Sequence, residues 1–309
     1  RMSCSFVPKK DGRVGLVYLL NEHGMVKAEA TVANLPASDR GPERMWYGSA
    51  AASEYHDMDW LRSNMRADED VQIRSLTNDM TILVLAGPNA RAVLEACARG
   101  NWSNEALPFL RLRECEIGFA PATVMRVSFS GELAYEIHVP NASLYAAYLA
   151  LRAAGADFDL RLFGARAVES MRMEKGFLHW KADLITEFDP FETGLARFVR
   201  LEKGPFVGSE ALKARVANGP SKQLVTLKIK TDHAPAHPGA SLMLAGRVVG
   251  TVTSGAWGYR VGQNLAYAFV DNEVADVGTQ MALDLCGDMI DAEVIVPGPF
   301  DPDYSRMRG

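Results

Sequence analysis

Two stretches of the chain carry side chains whose types and spacing could do chemistry. The first is Arg126-Val-Ser-Phe-Ser-Gly-Glu-Leu-Ala-Tyr-Glu-Ile-His-Val-Pro140. Leu133, Tyr135, Ile137 and Val139 alternate along it, which assigns them to one face of a strand and Glu132, Glu136 and His138 to the other. Two readings of the polar face stand side by side. It is the solvated side of an amphipathic strand, or Glu136 lies in a cleft. In a cleft, its carboxylate can pair bidentately with a ligand edge bearing two adjacent N–H donors. The second stretch is Ser170-Met-Arg-Met-Glu-Lys-Gly-Phe-Leu-His-Trp-Lys-Ala-Asp183. A helix stops at Gly176, with Lys175 placed to complement its dipole. Phe177, His179, Trp180 and Lys181 follow as an aromatic and basic cluster, which at a helix exit is ordinarily packing and only secondarily a site. Nothing next to His179 in sequence makes it a catalytic base.

The elements that must position these residues are legible in outline. Residues 14–20 are an apolar run ending at Asn21-Glu22-His23-Gly24, and extended character resumes from Met25 to Val32, so residues 14–34 read as a β-hairpin. The period becomes helical around 49–65. Val71–Ile73 and Thr81–Ala86 read as strands. Gly87-Pro88 opens a helix with apolar Ala90, Val93, Leu94 and Cys97, stopping at Gly100. A strand region at 123–139 precedes a helix at 141–154, and a third helix covers about 161–175. This mixture lacks the βαβ rhythm of a doubly wound sheet. Beyond residue 220, strand-like runs at 223–230, 241–253, 264–270, 279–286 and 289–296 are separated by Gly, Asn and Asp turns. That spacing predicts a small antiparallel barrel or sandwich. The expectation is an α+β chain with a mixed domain over 1–207, a basic, helix-prone linker over 208–221 and a β-domain over 222–309.

Composition narrows the function classes. The 309 residues are about twice a typical domain of ~150. Lys plus Arg number 33 against 38 Asp plus Glu, a net charge of −5, with no block of like charges. This argues against a nucleic-acid or anionic-membrane partner. No apolar run approaches the ~18–20 residues that span a bilayer. Cys4, Cys97, Cys115 and Cys286 are scattered without a CxxC pair, which suggests reduced thiols and no structural metal. The expected compartment is therefore the cytoplasm, or the mitochondrial matrix in a eukaryote.

Several motifs in order then resemble one family. Ser130-Gly-Glu-Leu-Ala-Tyr-Glu-Ile137 is similar to the S/TGExGYEI signature of the glycine-cleavage T-proteins, the folate-dependent aminomethyltransferases. Met171-Arg-Met-Glu-Lys-Gly176 resembles their LRLExG helix. Pro190-Phe-Glu-Thr-Gly-Leu195 with Phe206-Val-Gly208 resembles their PxExGL…FIG segment, and Gly250-Thr-Val-Thr-Ser-Gly255 their GxVTSG turn. Glu174-Lys-Gly-Phe-Leu-His-Trp-Lys-Ala-Asp-Leu184 and the ending Phe300–Arg308 are closer still to the C-terminal half of dimethylglycine and sarcosine dehydrogenases. The resemblance implies a folate-binding domain followed by a small antiparallel β-barrel. It implies capture on tetrahydrofolate of a one-carbon unit released from a small N-methyl amine, giving 5,10-methylenetetrahydrofolate. A folate-dependent O- or S-demethylase and a non-catalytic folate-binding module are the alternatives. A KGCYxGQE motif with its reactive cysteine is absent from Lys175–Lys181, which counts against the iron–sulfur maturation relatives.

Residue roles follow from the same resemblance. Glu136 stands at the pterin-binding glutamate, with Tyr135 beside it, and Phe129 takes the place of an aromatic, usually Tyr, that lines the site. Trp180 is expected to pack on the aromatic middle of the folate. Matching residues 21–32 to NExGGIxxDxTV places Glu29 at the family's catalytic aspartate and Met25 at its second turn glycine. Val168 stands where the T-proteins have an arginine, as in the dehydrogenase branch. Arg172 and Glu174 are expected to hold the fold. The chain has no G-x-G-x-x-G fingerprint opening a βαβ unit, so FAD is expected only on a flavin domain elsewhere in the same parent chain. The start at Arg1, just ahead of the hairpin, leads us to expect a piece of a longer protein.

Overall fold

The alternation along residues 14–35 becomes a hairpin in the computed structural model, which describes residues 1–37 and 41–309. Strands β1 (Val14–Leu20) and β2 (Val26–Leu35) are neighbours, and β3 (Arg44–Gly48) pairs antiparallel with β2. The Asn21 side chain ties the turn: its Oδ1 accepts the N–H groups of His23 and Met25, both at 3.0 Å. Gly24 takes φ +81°, and a Cβ there would lie 3.0 Å from the Leu212 nitrogen. Met25 is outside the positive-φ region, so a second glycine is not required.

The chain forms two compact units, each built from separated segments. One comprises Arg1–Phe6, Tyr18–Glu29 and Phe163–Asp303; the other comprises Val7–Val17, Ala30–Leu162 and Tyr304–Gly309. The division therefore passes through β1 and β2.

In the second of these, helix α1 (Glu54–Ser63) is followed by β4 (Met80–Ala86), helix α2 (Ala90–Cys97), β5 (Leu112–Ile117), β6 (Ala120–Met125), β7 (Ala134–Pro140) and helix α3 (Leu144–Ala154). The four strands pair antiparallel in the order β4-β7-β6-β5. One face carries Leu85, Val124, Tyr135, Ile137 and Val139, buried against Leu94 of α2, Ala147 and Leu151 of α3, and Trp102. The region 123–139, which periodicity reads as one strand, is two. It breaks at Ser128–Gly131, where the Ser128 hydroxyl accepts the Gly131 N–H at 3.1 Å and Gly131 takes φ +79°. Residues 71–73 are not a strand. They have no pairing partner, and Val71 is exposed.

In the first unit, helix α4 (Ala165–Lys175) and helix α5 (Ser209–Asn218, within the expected linker) precede β8 (Lys222–Ile229), β9 (Ser241–Leu244), β10 (Arg247–Gly258), β11 (Gln263–Asp271), β12 (Gln280–Leu285) and β13 (Asp288–Ile295). These six strands close an antiparallel barrel in the order β10-β11-β8-β13-β12-β9. Of the two β-architectures predicted, the barrel is the one realised. The expected run 241–253 is split by Ala245 and Gly246, at φ +49° and +77°. Strand β11 is buried on both faces. Ala266, Ala268 and Val270 fill the barrel, while Leu265 and Tyr267 pack outside against Met173 of α4. The GxVTSG-like segment, expected as a turn, lies within β10, and Gly255 is required there because a Cβ would sit 2.0 Å from the Ala236 carbonyl oxygen. A short helix α6 (Ser305–Arg308) returns to the second unit.

Candidate functional site

The face of the β4-β7-β6-β5 sheet opposite the helices holds Glu136. Its cross-strand neighbours are Val84 on β4 and Met125 on β6. The two ends of that face differ. Met125 is buried with Val14, Ala33, Leu35 and Trp46. Val84 and Ile82 are 51% and 46% exposed. Glu136 lies between a closed apolar end and an open one, with its side chain 31% exposed. Phe129, in the loop between β6 and β7, is 40% exposed. Next along the same face is His138, fully buried, whose Nε2 lies 3.3 Å from Glu136 Oε2. The Trp46 ring meets the imidazole edge-on, with centroids 5.1 Å apart. The polar face is thus not simply solvated: one of its members is a buried histidine beside the carboxylate. A partly open carboxylate flanked by exposed apolar side chains suits a flat, apolar-faced ligand presenting adjacent N–H donors.

Tyr135 lies on the other face of β7. It is fully buried in the core, at 6.4 Å from the Trp102 ring in an edge arrangement. Strand alternation keeps it from sharing one ligand face with Glu136, so it serves as the support beneath it.

Glu29, on β2 within the first unit, occupies a different environment. The Tyr18 side chain hydrogen-bonds to it, and Tyr18 itself is buried with its ring edge on Phe198 at 5.1 Å. Burial pushes the Glu29 carboxyl from 4.5 up to about 7, with the Tyr18 hydrogen bond pulling the other way. A carboxylate poised near neutrality can accept or release a proton at physiological pH. Tyr18 was invisible as a partner in the sequence, where it reads as one more member of the apolar run 14–20.

Trp180 is 6% exposed, with the Lys181 ammonium 5.1 Å above its ring. It follows α4, whose Arg172 and Glu174 are fully buried. Arg172 donates to Asp183 Oδ2 at 2.5 Å and to Ser254 Oγ at 2.8 Å, and pairs with Glu169. Thr253 and Ser254 hydroxyls donate to Asp183 Oδ1 at 2.5 and 2.7 Å. Glu174 accepts the backbone N–H groups of Arg260 and Val261 and the Arg260 guanidinium. These charges fasten α4 to β10 and the turn after it, the structural role expected of Arg172 and Glu174. Asp183 was missed as the partner of Arg172, although it sits in the same quoted motif.

With this geometry in hand, comparison with known proteins is direct. Residues 1–203 match the GCVT N-terminal domain, and residues 222–301 match the glycine cleavage T-protein C-terminal barrel domain. The chain belongs to the glycine cleavage T-protein family. It is 32% identical over 294 residues to mitochondrial dimethylglycine dehydrogenase of Rattus norvegicus, covering 94% of this chain and 34% of that protein. It is 31% identical over 320 residues to mitochondrial sarcosine dehydrogenase of Mus musculus, covering 98% and 35%. The chain thus spans about a third of the length of these relatives. Among solved structures, aminomethyltransferase T from Bartonella henselae superposes with a TM-score of 0.82 at 27% identity, over 97% of this chain and 78% of that one. Among the described residues, no helix is long and apolar enough to cross a membrane.

Proposed function

We propose that the chain carries out tetrahydrofolate-dependent capture of a one-carbon unit released from a small N-methyl amine. The observation that carries this reading is Glu136: a half-open strand carboxylate beside exposed Val84, in a motif similar to the family's pterin-binding segment. When bound, tetrahydrofolate supplies the nucleophilic nitrogen that takes up the one-carbon unit. Glu136 accepts two adjacent N–H donors of the pterin edge, and Phe129 offers the ring a packing surface without the hydroxyl of a tyrosine. Trp180 is buried enough that its first role is to pack the exit of α4; contact with the folate's middle portion is secondary to that. Glu29, held by Tyr18, orients the reacting nitrogen in its ionised form and stabilises the positive charge that develops there. The longer glutamate reaches this role from a partly buried position.

The amine class is supported by the names of the relatives, dimethylglycine and sarcosine dehydrogenase, which also favour this reading over an O- or S-demethylase. Oxidation of the amine is assigned to a flavin domain and not to these residues. The test is calorimetry with tetrahydrofolate on this chain and on Glu136→Ala. Binding by the wild type and a loss of tenfold or more in the variant are expected, since a charge-assisted hydrogen bond contributes about 1.5–3 kcal/mol. A folded wild type that binds no folate overturns the reading. Unchanged affinity in the variant removes Glu136 from the site.

A further inference from the structure

The buried histidine beside Glu136 is used by nothing described so far. His138 is two residues from Glu136 on β7, so both project from the same sheet face. Its side chain is 2% exposed, and neither ring nitrogen has a hydrogen-bond partner of good geometry. A buried polar group left in that state costs free energy, so its retention asks for a reason. Its surroundings offer one polar atom within reach, Glu136 Oε2 at 3.3 Å from Nε2. The other neighbours are the Trp46 ring from β3, with Ile82 on β4 and Thr123 on β6 at the paired positions. The other charges on that face are Glu114, opposite Thr123 and paired with Arg44 at 3.3 Å, and the exposed Glu116 further along β5.

We infer that His138 is a positioning residue for Glu136: its Nε2–H donates to Oε2 and fixes the plane of the carboxylate for a ligand edge with two adjacent N–H donors. This rests on the reading of Glu136 as the ligand carboxylate. An ionised carboxylate has about four lone-pair directions. One taken by His138 on the inner side leaves an outward direction on each oxygen, which is what a 2-amino-4-oxopyrimidine edge requires. Trp46 packs the imidazole in place, so the donor is held without help from solvent. At 3.3 Å the contact is longer than a charge-assisted hydrogen bond of about 2.7–2.9 Å. Such contacts commonly tighten when a ligand engages.

The first measurement needs no ligand. Nitrogen-15 NMR of the imidazole in the intact chain is expected to show a proton on Nε2, and Glu136→Ala is expected to relax that preference. An unprotonated Nε2 in the wild type, or an Nε2 signal unmoved in the variant, overturns the assignment. The second measurement is calorimetry with 5-formyltetrahydrofolate and with p-aminobenzoylglutamate, which lacks the pterin. His138→Leu is expected to lose about tenfold in affinity for the first compound and nothing for the second. His138→Gln places an amide N–H at a similar reach, and its affinity is expected to stay near that of the wild type. Equal losses in both variants indicate packing alone and overturn the proposal, as does no loss in either. A wild type that binds neither compound sinks the folate reading, while the nitrogen spectrum still decides whether His138 holds Glu136.

Discussion

Glu29 and Glu136 are both strand carboxylates, and their surroundings set them apart. Glu136 lies on a sheet face between a closed apolar end and an open one. Glu29 lies beside Tyr18, and burial raises its carboxyl to about 7 while the Tyr18 hydrogen bond pulls the other way. The sign of the linked stability effect follows. Between about pH 4.5 and pH 7 the folded chain keeps a proton that the unfolded chain has released, so stability falls as pH rises through that window. Above it the penalty is complete. Glu29→Gln is therefore expected to stabilise the chain at pH 8, by up to about 3 kcal/mol, and to leave it unchanged at pH 4. Denaturant unfolding at the two pH values measures this. The same variant is expected to lower the one-carbon transfer rate by about 10²-fold or more. Gain of stability with retained activity would show that Glu29 is merely a partly buried strand carboxylate. Its position could be found by matching a motif. Its protonation behaviour could not, because the burial that raises it comes from packing through space and carries no local signal.

At the scale of elements, α4 shows what the helix-stop motif is for. The alternation of Met171, Arg172, Met173 and Glu174 gives no helical apolar stripe, and the reason is that both charges are inside. Arg172 is held by Asp183 and Ser254, and Glu174 by the backbone of the turn after β10. Arg172→Met is expected to cost about 3–5 kcal/mol, because it leaves the Asp183 carboxylate buried without its guanidinium. An Arg172→Met, Asp183→Asn double variant is expected to recover part of that loss, and thermal unfolding of the three chains separates the pair from the packing. The strands that sequence resolved poorly share a cause. Strands β6 and β7 read as one because the break between them is short, four residues at Ser128–Gly131 with Phe129 inside it. Strands β3 and β5 escaped because their half-buried polar side chains, such as Arg44 and Glu114, mask the alternation.

At the scale of the whole molecule, chain order and packing order part company. Residues 304–309 follow the barrel in sequence and pack with the segment 30–162. Arg126, 1% exposed, is the fastening. Its guanidinium donates to the Leu107 carbonyl at 2.9 Å, to Asn104 Oδ1 at 2.7 Å and to the Arg308 carbonyl. Arg126→Met is expected to raise amide hydrogen exchange across residues 304–309 well above that of β6 and β7. Protection of that segment equal to the wild type would assign its anchoring to other contacts. This arginine opens the stretch read first for its chemistry, and its own work proves structural.

Sequence by itself determined the family and the architecture of the second half. Ordered motifs need only residue identity, and a six-stranded barrel writes its alternation and its turns into the chain at short range. It also determined which carboxylates to consider, since Glu136 and Glu29 stand in recognisable strings. Tertiary structure decided what each carboxylate is. It put a buried histidine beside Glu136 and a buried tyrosine against Glu29, and it placed Tyr135 in the core instead of the cleft. The reason is physical: desolvation and hydrogen bonding depend on what comes near through space, and the neighbours that matter come from a facing strand or from further along the same face of the same strand.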